Sequence, residues 1–199
     1  VHIKDAAIDV AGSLPNGGRA EMDVLGSVFV GGVGSGGASA LLVRNGARGG
    51  IEGDLSVGSA GFGLVAVLGY SNPTQLIVAD PQAGLCAIGR EFDGEVSIDS
   101  GGDLYCRNIE LGGLPGTNGS GYLHVTDPGT VGTGGVLTVG HAGGGAGLVW
   151  MDQNPIVITP GAYISPNGGI VGTGLLIVGA GGLQNDGYLG PQITVWGPL

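Results

Sequence analysis

Basic residues are almost missing from this chain. Its 199 residues include six lysines and arginines against 16 aspartates and glutamates, for a formal net charge of −10. Lys4 is the only lysine. Nucleic-acid binding takes most of its affinity from basic side chains that neutralise phosphates, so that partner is excluded, and anionic membrane surfaces are disfavoured for the same reason. So few basic residues also leave few sites for trypsin-like proteases, which fits an extracellular setting. Long apolar runs are absent as well. No stretch approaches the ~20 residues that a helix needs to cross a bilayer, so no membrane insertion is expected. The chain opens at Val1 with no basic-plus-apolar leader, the expectation for a mature exported chain whose leader has been removed. Aromatic residues make up only 5%. Sugar-binding faces usually expose rows of rings, and these are too sparse to mark a groove, so Trp150 and Trp196 are expected in core or lid packing.

What the chain has instead is glycine, 47 residues of it, alongside 42% hydrophobic residues. No every-third-residue glycine pattern with abundant proline is present, which excludes collagen. The apolar content excludes glycine-rich disorder. No segment carries helical spacing that the glycines would not interrupt. The apolar residues are mostly Val, Leu and Ile in short runs, which is strand composition. The chain therefore reads as all-β.

One phrase recurs: an apolar residue, a variable one, a second apolar residue and a glycine. It appears as Val28-Phe29-Val30-Gly31, Leu55-Ser56-Val57-Gly58, Cys86-Ala87-Ile88-Gly89, Ile109-Glu110-Leu111-Gly112, Leu137-Thr138-Val139-Gly140 and Leu176-Ile177-Val178-Gly179. Strand side chains alternate faces, so the flanking pairs are predicted to form the core and the mixed middle set to face out. Secondary strands are predicted at 40–43, 64–67, 76–78, 95–98, 122–125, 156–158 and 170–171. Corners are expected at Asn45-Gly46, Asn118-Gly119, Asn167-Gly168, Asp80-Pro81 and Asp127-Pro128. The unequal steps between closing glycines suit a parallel β-solenoid with variable turns, about 20 to 25 residues per coil and roughly 40 to 50 Å long.

Residues 1–25 are poor in glycine and read as an N-terminal cap or exchanged strand, with Leu14 to Gly18 as a turn. Residues 26–190 read as solenoid repeats. Residues 191–199 hold a C-terminal strand at an open end, with Trp196 as its lid or under another molecule. Open strand edges invite pairing. Ile3, Ile8 and Val10 at one end and Ile193, Val195 and Trp196 at the other are the expected contacts between copies.

Cys86 and Cys106 fit no metal spacing. Both are predicted to point inward, about one coil apart, where a disulfide and two buried free thiols are equally open. The richest polar stretch is Glu91, Asp93, Glu95, Asp99, Asp103 and Glu110. Stacked on one face, these could bind Ca²⁺ or serve a polysaccharide lyase or hydrolase; a solvated outer face is the plainer reading and the one expected. His2, His124 and His141 show no metal spacing, and His124 is predicted to face outward. Gly34-Ser35-Gly36 and Gly61-Phe62-Gly63 lack the following helix that a phosphate loop requires. No metal, cofactor or catalytic residue is expected.

Leu55 to Val67, Leu137 to Val149 and Leu176 to Gly182 resemble the glycine-rich repeat of autotransporter passenger domains and PEP-CTERM-associated bacterial surface proteins. The resemblance covers roughly residues 28–182. It implies a right-handed parallel β-helix, secreted or on a bacterial surface, with a structural or adhesive role and no shared catalytic residues. The irregular spacing and the two cysteines depart from the family pattern. The combined expectation is a non-enzymatic extracellular subunit that assembles end to end into a filament or surface layer. The alternative is a monomeric adhesin or module that binds surface polysaccharide.

Overall fold

The computed structural model describes residues 1–4, 6–12, 19–31, 39–70, 72–78 and 84–198. All paired strands run parallel, and the chain is a β-solenoid of three flat faces. The first rung is β1 (His2–Ile3), β2 (Ala7–Ala11) and β3 (Glu21–Val24). The next is β4 (Val28–Val30), β5 (Ser39–Arg44) and β6 (Arg48–Ile51). Then come β7 (Leu55–Val57), β8 (Gly63–Leu68) and β9 (Thr74–Val78), followed by β10 (Leu85–Ile88), β11 (Gly94–Asp99) and β12 (Gly102–Cys106). Above these lie β13 (Asn108–Leu111), β14 (Gly121–Thr126) and β15 (Thr130–Thr133). The last are β16 (Val136–Val139), β17 (Gly147–Asp152), β18 (Ile156–Ile164), β19 (Gly168–Gly172), β20 (Gly174–Asn185), β21 (Tyr188–Leu189) and β22 (Ile193–Trp196).

The first face stacks β1-β4-β7-β10-β13-β16 and the third stacks β3-β6-β9-β12-β15. β18 and β20 turn the corner between them and belong to both. The second face is the eight-stranded sheet β2-β5-β8-β11-β14-β17-β19-β21. At about 4.8 Å per rung it is about 34 Å long, shorter than expected. Coils are also longer than expected: Met22, Gly49, Leu76, Leu104 and Val131 stack in one column at steps of 27 or 28 residues.

The inside is as the alternation predicts. Val28 and Val30, Leu55 and Val57, Ile109 and Leu111, and Leu137 and Val139 are all at most 1% exposed. Phe29, Glu110, Thr138 and Ile177 point outward and are half-buried, whereas Ser56 and Ala87 in the same register are buried. All the secondary strands predicted from sequence are present. β6 and β15 escape the pattern because Arg48-Gly49-Gly50-Ile51 and Thr130-Val131-Gly132-Thr133 lack alternation. Their place is decided by the strands on either side. The segment 1–25, expected as a cap or exchanged strand, supplies β1 to β3, in parallel register with β4 to β6.

One repeat is out of phase. Leu176 to Val178 stacks on Val157 to Thr159 in the third face and not on β16. The first-face rung above β16 is Gly161-Ala162-Tyr163-Ile164, which ends in Ser165. Without the closing glycine it carries no signature in the sequence.

Four successive passages from the first face to the second are built from two columns of glycine. Gly58, Gly89, Gly112 and Gly140 close the first-face strands at φ between 75° and 93°, a region that side chains disfavour. Each donates its N–H to the rung below: Gly58 to Val30 O at 2.8 Å, Gly89 to Val57 O at 2.8 Å, Gly112 to Ile88 O at 2.9 Å and Gly140 to Leu111 O at 2.8 Å. Ser165 and Asp186 continue the ladder. Gly63, Gly94, Gly121, Gly147 and Gly168 then open the second-face strands in register. A Cβ on Gly121 would meet Ile88 O at 2.1 Å. At the next corner, Asn45-Gly46 takes positive φ at both residues (57° and 87°), a type I′ turn as the dipeptide predicts. Leu14 to Gly18, Gly34 to Gly36 and Asp80-Pro81 lie outside the described residues.

Cys86 and Cys106 are free and buried, on the first and third faces of one coil. Burial, and then the hydrogen-bonded Cys86 thiol, push the Cys106 thiol well above its ordinary value. The disulfide alternative is not the state found.

Two expectations follow. Gly121→Ala should lower unfolding free energy by about 3 kcal/mol, because backbone on the adjoining corner blocks the methyl group. Gly116→Ala, at φ 89° with nothing within 4 Å, should cost only about 1 kcal/mol of backbone strain. Urea unfolding of both variants checks the difference. The second concerns pH. The native state holds the Cys106 proton where the unfolded chain, with a thiol near pKa ~8.5, releases it. The unfolded state then binds fewer protons, so this contribution is complete below ~8.5 and is lost as pH rises beyond it. Urea titrations across that range should show the decline in wild type and a smaller one in Cys106→Ala.

Candidate ligand-binding face

Parallel register turns alternation along each strand into columns along the solenoid. On the second face the inward columns hold Leu41, Val65, Val96, Leu123, Val149 and Ile170, all fully buried. The outward positions form the flat surface. One outward column runs Ala40, Leu64, Glu95, Tyr122, Leu148, Gly169, Tyr188, and its neighbour runs Leu42, Ala66, Ser97, His124, Trp150, Val171. The surface is weakly charged and becomes aromatic in its C-terminal half.

Tyr122 and Trp150 are 42% and 53% exposed. They stand in adjacent columns and adjacent rungs, diagonal neighbours across the strand pair β14 and β17. With Glu95, Leu123, His124 and Leu148 they line a groove of about 300 Å³. The His124 ring leans on Trp150 with centroids 5.2 Å apart and planes at 38°. Its Nε2 lies 3.4 Å from Thr126 Oγ1. Further along, Gly169 is buried between Leu148 and the exposed Tyr188.

The charges here are acidic. Among the described residues no basic side chain pairs with Glu95, Asp99 or Asp152. Arg44, on an outer column of the same face, is engaged by Asp9 through two hydrogen bonds of 3.0 and 2.6 Å. Hydrogen bonding to Arg44 holds the Asp9 carboxyl below its ordinary value, and the same bonds raise Arg44.

The exposed rings correct the expectation that each tryptophan packs into the core or closes an end. Trp196 is 70% exposed and stands outward on the third face beside Ile177, so it is no lid. His124, predicted to face outward between Leu123 and Val125, does so. Register alone brings it beside Trp150.

The acidic stretch of the sequence is dispersed. Glu95 and Asp99 lie on the second face, Asp103 on the third and Glu110 on the first. Asp93 is in a turn, where its Oδ1 accepts the Ser120 N–H at 3.0 Å. Among the described residues no group of His, Cys, Asp or Glu could hold a metal ion. Glu110 lies 3.9 Å from His141 Nε2.

The end residues expected as contacts lie in the terminal rungs. Ile3 is buried, Ile8, Val10 and Val195 pack half-buried on the core, and Ile193 is 9% exposed. Two other grooves lack a pair of exposed rings. One of about 590 Å³ on the third face is lined by Glu21, Asp23, Arg48 and Glu52 among others. One of about 340 Å³ on the first face has a glycine-rich floor beside Val136 and Tyr163. No family model, curated protein or solved structure matches this chain.

Proposed function

We propose that the protein is a non-enzymatic carbohydrate-binding or adhesive solenoid that takes a polysaccharide along its second face in an extracellular setting. The observation that carries this reading is the pair of exposed rings, Tyr122 and Trp150, flanking one groove on a flat, weakly charged sheet. Aromatic faces stack on the apolar faces of sugar rings, while their polar edges and nearby side chains take hydroxyl hydrogen bonds. A rigid sheet holds such rings without the ordering cost of a loop, which favours affinity. Tyr188, three rungs beyond Tyr122, would extend the track by about 14 Å. Co-sedimentation with a panel of insoluble polysaccharides tests it. Tyr122→Ala and Trp150→Ala should each weaken binding about tenfold, whereas Tyr105→Ala on the third face should not. Wild-type binding by both groove variants would refute the proposal.

End-to-end self-assembly is a second reading, favoured by a separate observation. Among the described residues, β1, β2 and β3 at one end and β21 and β22 at the other pair on one side only. The two ends share one three-sided outline, so β1–β3 could stack in parallel on the last rung of another copy, a heterologous contact that propagates. Negative-stain microscopy across a concentration series should then show rods lengthening, and removal of residues 1–12 should stop it. Isolated short rods at every concentration would exclude this reading.

A further inference from the structure

We infer that the groove between Tyr122 and Trp150 selects a sugar carrying a protonated amine, and that Glu95 is the residue that reads the charge. This rests on the saccharide-binding reading and names its ligand class. Glu95 is the partner of Tyr122 on the adjoining rung and lines the same groove as both rings. Its carboxylate has no cationic partner among the described residues. A free carboxylate beside two aromatic faces suits a cation twice over. The charge pairs with the carboxylate, and an ammonium near an indole or phenol face is attracted by the ring's quadrupole.

The surroundings bias the same choice. Asp99 and Asp152 stand on the same face, two outward columns from Glu95, and Arg44, in the column of Asp99, is already committed to Asp9. A chain of uronic acids or sulfated sugars would lay anions on an acidic face whose one arginine among the described strand residues, Arg44, is paired. The net charge of −10 repels such a chain at longer range and draws a polyamine polysaccharide in. His124 is the remaining titratable wall of the groove, and Thr126 Oγ1 and the Trp150 ring are its contacts.

The test compares three soluble oligosaccharides of equal length by isothermal titration calorimetry with the full chain. These are a β-1,4-linked glucosamine oligomer, its fully N-acetylated counterpart and an oligouronate. The pH is set so that the amine is protonated and carboxylates are ionised. The amine form should bind about fivefold tighter than the acetylated form, the oligouronate should bind weakest, and added salt should shrink the gap. In Glu95→Gln the ratio of amine to acetylated affinity should fall towards one. In Glu21→Gln, on the third face, the ratio should keep its wild-type value. The ratio is taken within one protein, so a loss of folded material in a variant does not move it. A wild-type ratio of one, with both forms bound, would overturn the charge selection and leave the saccharide reading standing. A ratio unchanged in Glu95→Gln would overturn the role of Glu95. Failure of folded wild type to bind any of the three or any polysaccharide would overturn the saccharide reading itself.

Discussion

The corner between the first and second faces constrains everything else in this fold. Where the chain leaves the first sheet at Gly58, Gly89, Gly112 and Gly140 it reverses φ, and where it enters the second it brings two backbones closer than a Cβ allows. Gly89 and Gly121 show the two demands on adjoining coils: the first sits at φ 78°, and the second has the Ile88 carbonyl where its methyl group would be. The N–H of each closing glycine then bonds to the rung below. The corner therefore fixes coil stacking as well as coil shape. Loop length varies at this corner too, from 58–63 in one coil to 112–121 in another, and successive second-face steps run from 33 residues between Ile8 and Leu41 to 19 between Ile170 and Leu189. The glycines at the two ends of the loop restore the register.

With register reset, the core becomes a set of columns, each adding one aliphatic side chain per rung. Exceptions are tolerated where they bond within the column. Thr133 Oγ1 and Thr159 Oγ1 are 2.8 Å apart, and Thr159 Oγ1 also donates to Gly161 O at 2.6 Å. Cys106 stands in the same column between Val78 and Thr133 and bonds to Cys86. These polar contacts sit where β18 rounds the corner without a loop, and buried hydroxyls need partners there.

The outside inherits the same order without the same demand for shape. Parallel stacking sets outward side chains about 4.8 Å apart along the axis on a rigid sheet, so any ring in an outward position becomes part of a track. That is why a chain with few aromatics still presents a lined groove: Tyr122, His124 and Trp150 lie on adjacent rungs. The same rule explains why the acidic run 91–110 makes no cluster. Its residues are near in sequence, but the chain turns two corners between Glu95 and Glu110 and distributes them over three faces.

Composition and alternation were enough to define an all-β solenoid, to place Leu55, Val57, Ile109 and Leu111 inside, and to put His124 outside, because side-chain direction along a strand is local chemistry. The sequence could not show which strands share a face. Leu176-Ile177-Val178 carries the first-face phrase yet stacks in the third face, and Gly161 to Ile164 occupies the first-face place with no closing glycine. β6 and β15 lack alternation and are strands because their neighbours offer unpaired backbone on both sides. The groove belongs to this second kind of information. Tyr122 and Trp150 are 28 residues apart and meet only because hydrogen-bond register across β14 and β17, set by the glycine corners, makes Tyr122 the partner of Leu148 and His124 the partner of Trp150.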